Sequence, residues 1–134
     1  MLPFAVVLRA GESPYRQVVY AATKAVVSGE LKAGDAFPSV RELSQALKIN
    51  PNTAQKVIAE LVRDGMLEVR PGIGTVVTGN RRATAAEKRE LLSGEVEQLL
   101  VEAKRLGLTE ADVVKAVVNR WEALFGDGTT GGNR

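Results

Sequence analysis

The chain has no cysteine and no histidine, and these two absences exclude more function classes than any residue present. Without cysteine there is no disulfide and no thiol nucleophile. Without histidine the imidazole base is gone, and with it the commonest zinc ligand. A nucleophile, base and orienting group are hard to assemble from what remains, and the acids read as helix caps and surface. The chain is therefore expected not to be an enzyme and to need neither cofactor nor metal. Long apolar runs are missing as well. None approaches the roughly 18 residues of a membrane span, and residues 4–8 are too short for a signal-peptide core. Cytoplasmic placement with no membrane partner is expected.

What is present is enough to fold. Of 134 residues, 45% are hydrophobic, which suffices for a real core. The net charge of +2 hides an asymmetry. Residues 1–82 carry 11 Lys/Arg against 7 Asp/Glu, and residues 83–134 carry 7 against 9. A basic first segment beside an acidic second one fits a polyanion partner for the first, although imbalances of this size also occur on ordinary solvated surface.

Local signals divide the first segment into short elements. Ser13-Pro14 starts a helix, because serine caps free amides and proline suits the first helical position. Tyr15, Val18, Val19, Ala22 and Val26 then lie on one stripe until Gly29 offers a left-handed stop. Ser39 and Glu42 form a capping box for a second helix of two to three turns carrying Val40, Leu43, Ala46 and Leu47. Asn50-Pro51 repeats the cap-then-proline signal after a tight turn through Lys48 and Ile49. Two helices this close cannot be collinear.

The third helix buries Ala54, Val57, Ile58, Leu61 and Val62 and presents Asn52, Thr53, Gln55 and Lys56 on its other face. Gly65 ends it. Residues 66–70 alternate, with Leu67 and Val69 on one side, then Pro71-Gly72-Ile73-Gly74 forms a turn and β-branched Thr75 to Thr78 return. A β-hairpin is expected. Residues 79–83, with Arg81 and Arg82, read as a connection.

Beyond it, Thr84 with Glu87 caps a long helix on which Leu92, Val96, Leu99, Ala103 and Leu106 recur in steps of four and three, the mark of a seam that packs on another helix. Gly107 closes it. Thr109 with Asp112 caps a last helix carrying Val113, Val114, Val117, Trp121 and Leu124. Residues 126–134 are too polar to pack and are expected to be disordered. The fold class is thus mainly α with a small β-hairpin. Residues 1–80 form a winged helix-turn-helix, residues 81–125 a two-helix dimerisation module that also has room for an effector role, and residues 126–134 a tail.

Two short helices joined by a tight turn, the second polar at its start, are the arrangement that places one helix in the major groove. Asn52 and Gln55 have the groups to bond base edges, Thr53 suits base or phosphate, and Lys56 suits a phosphate. The helix starts at Ser39 and Asn50 present free amides to the DNA backbone, with Arg41 flanking the first. Any one of these residues alone also fits a cap or a solvated surface; the ordered combination with a glycine-tipped hairpin is far more specific.

The stretch Leu31-Lys32-Ala33-Gly34-Asp35-Ala36-Phe37-Pro38-Ser39-Val40-Arg41-Glu42-Leu43, then Asn50-Pro51-Asn52-Thr53 and Gly72-Ile73-Gly74-Thr75, resembles the GntR family of bacterial regulators over about half the chain. That resemblance implies DNA contacts from Ser39, Arg41, Asn50, Asn52, Thr53, Gln55, Lys56 and Gly72, and Arg70 on the wing is expected to join them. Gly72 either lets the backbone approach the minor-groove wall or merely permits the turn. Three positions depart from the commonest pattern: Phe37 for Leu, Ala54 for Val, and Pro51 where Arg is frequent. The last removes a guanine-reading side chain and leaves readout to Asn52 and Gln55, both suited to adenine, so the operator is expected to be A·T-rich there. The Asn-Pro-Asn-Thr start and the short remainder resemble the YtrA-like subfamily, which implies a homodimer and a repressor acting near its own or a transporter operon.

The apolar seam of the second module, namely Leu92, Val96, Leu99, Ala103, Leu106, Val117 and Trp121, is more than two helices can bury, so a second subunit is expected to cover it. A two-fold dimer would read a pseudo-palindromic operator. Trp121 fits core packing, or alternatively the wall of a small-effector pocket, and no residue forces a ligand site. A competing reading from another class is a winged-helix protein-interaction adaptor that does not touch DNA. The positive charge of Arg41, Lys56, Arg70, Arg81 and Arg82 favours DNA over it.

Overall fold

The computed structural model describes residues 2–79 and 83–126. The connection residues Arg81 and Arg82, and the tail from residue 127 onward, lie outside the described residues. Contacts divide the chain into two units, Met1–Arg81 and Arg82–Arg134.

The first unit holds three helices and a hairpin in the order α1 (Pro14–Val27), α2 (Val40–Leu47), α3 (Pro51–Arg63), β1 (Leu67–Arg70) and β2 (Gly74–Val77). Each helix begins where the local chemistry places it. The Ser13 side chain accepts the Arg16 amide at 3.3 Å with Pro14 at the first helical position. The Asn50 side chain accepts the Asn52 amide at 2.7 Å with Pro51 following. Between α2 and α3 the turn is made by Lys48, whose backbone is left-handed with φ 56°.

The core is the meeting of α1, α2 and α3 above the base of the hairpin. Val18, Ala22, Leu43, Val57, Leu61 and Val77 are all but inaccessible to solvent. Ile58 packs against this cluster from a half-buried position, whereas Val62, expected on the buried face of α3, is partly exposed at the helix edge. Burying one such Leu or Val side chain contributes about 1.5–3 kcal/mol.

β1 and β2 pair antiparallel, with Leu67 opposite Val77 and Arg70 opposite Gly74. A third piece of extended chain joins them. Ala36 bridges to Val76, the Phe37 amide donates to the Thr75 carbonyl at 2.9 Å, and the Val77 amide donates to the Asp35 carbonyl at 2.8 Å. The base of the hairpin is therefore tied to the residues that lead directly into the Ser39 cap. Leu67 is buried, but Val69, on the same side of β1, is exposed. The hairpin runs out past the core, so side alternates without burial.

Residues ahead of α1 also belong to this core. Phe4 is buried and its ring stacks on Phe37 with centroids 5.5 Å apart. The Gln17 side chain accepts the Arg9 amide at 2.8 Å and donates back to the Arg9 and Glu12 carbonyls, which fastens this segment to α1.

The regular elements among the described residues of the second unit are all helical. α4 (Ala85–Glu90) starts in a capping box of Thr84 and Glu87, passes through a π-helical turn (Leu91–Glu95), and continues as α5 (Val96–Arg105). α6 (Glu110–Trp121) starts in a capping box of Thr109 and Asp112 and closes with a second π turn (Glu122–Gly126). The long helix is thus one helical path with a wide turn inside it, where the Val96 amide reaches the Leu91 carbonyl five residues back. Gly126 belongs to the closing turn of α6 and not to the tail.

Candidate nucleic-acid interface

The face that the first unit offers is built at the starts of α2 and α3. At α2, the Ser39 hydroxyl accepts the Glu42 amide at 3.1 Å and the Glu42 carboxylate accepts the Ser39 amide at 2.8 Å. This reciprocal pair occupies two donors and leaves the amides of Val40 and Arg41, at the first helical positions, for another acceptor. The Arg41 side chain is exposed beside them. An incoming phosphate would meet two amides, one guanidinium and the positive end of a helix dipole.

At α3, the carbonyl oxygen of the Asn50 side chain is committed to the Asn52 amide, so only its amino group remains to donate outward. Asn52, Gln55 and Lys56 are exposed, three and four residues apart, and so lie on one face. Thr53 is half-buried; a side chain held that close to the helix packing suits a backbone contact better than deep base readout. Ala59 continues the exposed stripe one turn on, a small side chain that would leave room for the groove wall.

The orientation of α3 is held by its opposite side. Tyr15 on α1 donates its hydroxyl to Glu60 Oε1 at 2.9 Å, and Arg63 bonds the same oxygen. The hydrogen bond to Glu60 raises the Tyr15 pKa above its ordinary value. The bonds from Tyr15 and then Arg63 lower that of Glu60.

On the hairpin, the Ile73 amide donates to the Arg70 carbonyl at 3.0 Å, closing a turn with Pro71 and Gly72 at its centre. Proline second and a φ of +78° at Gly72 define a type II turn. No atom lies within 4 Å of where a Gly72 side chain would start, so the backbone conformation alone demands glycine. Arg70 is not a free cation: its Nε donates to Glu68 Oε2 at 2.6 Å with both side chains about half exposed. Lys48, at the turn between α2 and α3, and Ile73, on the hairpin turn, are exposed features of this face that the sequence reading did not single out. A left-handed non-glycine residue has no sequence signature, and a lone isoleucine in a turn looks like strand.

In the second unit, by itself, the seam residues divide. Ala103 is buried and Val96 half-buried, whereas Leu92, Leu99, Leu106, Val117 and Trp121 are exposed, Trp121 at 65%. Leu92 lies within the π turn, which shifts its register against Val96. α5 and α6 leave an open groove of about 580 Å³ between them. Its walls are Leu99, Ala103, Leu106, Val113, Val117, Trp121, Leu124 and Phe125, with Glu102, Asp112 and Arg120 also lining it. Trp121 meets Phe125 edge-on at 5.0 Å. Among the described residues no helix is long and apolar enough to cross a membrane.

Known proteins share this arrangement. The pattern of the bacterial regulatory proteins of the gntR family matches residues 14–77. The HTH-type transcriptional repressor YtrA of Bacillus subtilis is 35% identical over 95 residues, covering 70% of this chain and 73% of its own. The uncharacterised HTH-type transcriptional regulator YhcF of the same organism is 38% identical over 96 residues, covering 69% and 76%. Among solved structures, a transcriptional regulator from Oenococcus oeni is 30% identical with a TM-score of 0.59, covering 86% of this chain and 96% of its own. With relatives this similar over three quarters of their length, the chain belongs to the gntR family of bacterial regulatory proteins, on its YtrA-like branch.

Proposed function

We propose that this chain is a sequence-specific DNA-binding repressor that acts as a homodimer on a pseudo-palindromic operator near its own or a transporter operon. The observation that carries the reading is the face formed by the open amides of α2 and the exposed Asn52, Gln55 and Lys56 stripe of α3 beside the hairpin. Arg41, the α2 amides and Lys56 hold phosphates, Asn52 and Gln55 read base edges in the major groove, and Gly72 carries the wing toward the minor groove. Arg70 joins only by exchanging Glu68 for a phosphate. The Bacillus subtilis relative described as a transcriptional repressor supports the regulatory sense.

The open apolar groove of the second unit supports the two-fold arrangement, because a second copy would cover it. An exposed apolar surface of that kind on a free monomer is a liability in water. Two recognition helices spaced by about 34 Å, one DNA turn, would then meet two half-sites.

The test is fluorescence anisotropy of the protein against its own upstream region and a scrambled duplex, over a salt series. Selective binding with a steep salt slope is expected. Equal weak binding to both duplexes refutes the proposal. Gln55→Ala is expected to cost about 1–3 kcal/mol at particular base pairs and nothing on the scrambled duplex.

A further inference from the structure

The hairpin that the proposed function sets against DNA has no net charge. From residue 66 to residue 79 the only charged side chains are Glu68 and Arg70, and they are paired with each other. On its turn stands Ile73, 72% exposed, its backbone amide hydrogen-bonded to the Arg70 carbonyl and flanked by two glycines in the left-handed region. Val69 on β1 is 63% exposed as well. A single exposed apolar side chain is ordinary; here it is displayed on a hydrogen-bonded turn at the end of an element that overhangs the core.

We propose that Ile73 is a specificity-determining residue that reads the minor groove by shape and dryness, favouring A·T over G·C beneath the wing. The inference rests on the reading of the chain as a DNA-binding regulator. In the minor groove an A·T pair shows only the flush acceptors N3 and O2, while a G·C pair adds the protruding N2 amino group. An isoleucine, stiff at its β-branch, fits against the first. Against the second it meets a steric obstacle and covers a hydrogen-bond donor that it cannot satisfy. Apolar side chains, isoleucine among them, are used in this way by minor-groove proteins. An arginine at the same place would hold its site by charge, with a salt-dependent share of affinity. Ile73 makes a contribution that salt does not screen.

The experiment uses the intact protein and a pool of duplexes with randomised sequence, from which it selects its own ligand. The selected duplex is expected to carry A·T at one position in each half-site outside the bases that α3 contacts. Replacing that pair by G·C should weaken binding about tenfold, in the range of one mismatched pair. Replacing it by inosine·C, which lacks the amino group, should leave affinity within about twofold of A·T. In Ile73→Ala the G·C penalty should fall below about threefold with an unchanged salt slope, and in Ile73→Arg the slope should steepen by about one. Both substitutions sit on an exposed turn, and thermal melts check that the fold survives. Absence of any A·T preference outside the α3 contacts, an inosine penalty equal to that of guanine, or full discrimination in Ile73→Ala overturns the inference while leaving the DNA-binding reading in place. Selection that enriches no sequence overturns both.

Discussion

Replacing Lys48 by glycine should make the protein more stable. Lys48 closes α2 with φ 56° and ψ 47°, and its amide donates to the Ser44 carbonyl. It is the one non-glycine among the described residues with a positive φ. A left-handed backbone costs a residue with a Cβ about 1–2 kcal/mol. Glycine escapes that cost but loses about 0.5–1 kcal/mol in extra chain entropy on folding. At mid-range the balance favours Lys48→Gly by about 0.5–1 kcal/mol. A domain of this size gains about 4–8 °C in Tm per kcal/mol, so the melting temperature followed by circular dichroism should rise by about 2–8 °C. Lys48→Ala is the control, because it removes the same charge and keeps the Cβ; its Tm should stay within about 2 °C of the parent. A Lys48→Gly protein that melts at or below the parent, or an alanine variant that gains as much as the glycine one, refutes the strain argument. The same proteins carry a second reading. If the lysine also touches a phosphate, both variants should lower the salt slope of DNA binding by about 0.9.

Two further outcomes follow from other parts of the structure. Glu60→Gln should be less stable than the parent at neutral pH. The folded-state pKa of Glu60 lies below its ordinary value, so its contribution is complete above about pH 4.3 and fades as pH falls through the folded value. Thermal melts of the two proteins should converge in acid, and a gap that stays constant below pH 4 rules out the Tyr15–Glu60–Arg63 linkage as its source. Val117→Glu places a carboxylate in the groove between α5 and α6, where burial against a second copy would be costly. Sedimentation should show a monomer that retains helical signal, and operator affinity should drop at least tenfold; a dimer of undiminished strength would locate the interface elsewhere.

The parts of the fold legible in the sequence are those specified within a few residues. Ser39 with Glu42, Thr84 with Glu87 and Thr109 with Asp112 announce three helix starts, and all three form reciprocal caps. Ser13-Pro14, Asn50-Pro51 and Pro71-Gly72 act equally locally. Most of what escaped reading depends on partners distant in sequence. Ala36 becomes strand-like only because Val76 arrives beside it, and Tyr15 meets Glu60 across 45 residues. Val69 alternates correctly yet stays exposed because the hairpin outruns the core. The π turn at Leu91–Glu95 left no mark that periodicity would detect. For the site, residue types and spacing pointed to Asn52, Gln55 and Lys56, all exposed on one face. The pairing of Arg70 with Glu68, which sets the charge of the wing, needed the structure.

The stacking of Phe4 on Phe37 separates two pieces of the chain that are easily taken for one. The segment that the family pattern matches, residues 14–77, omits Phe4 and also Thr78, whose amide donates to the Met66 carbonyl at 2.9 Å and whose hydroxyl bonds the Gly65 carbonyl. A fragment trimmed to that segment would open a hole beside the Phe37 ring, immediately before the Pro38-Ser39 start of α2, at a cost of the order of 3–5 kcal/mol for the aromatic alone. The stretch that the family pattern covers is therefore shorter than the unit of folding. An experimenter who wants the reader head by itself should cut outside the family pattern, ahead of Phe4 and beyond Thr78.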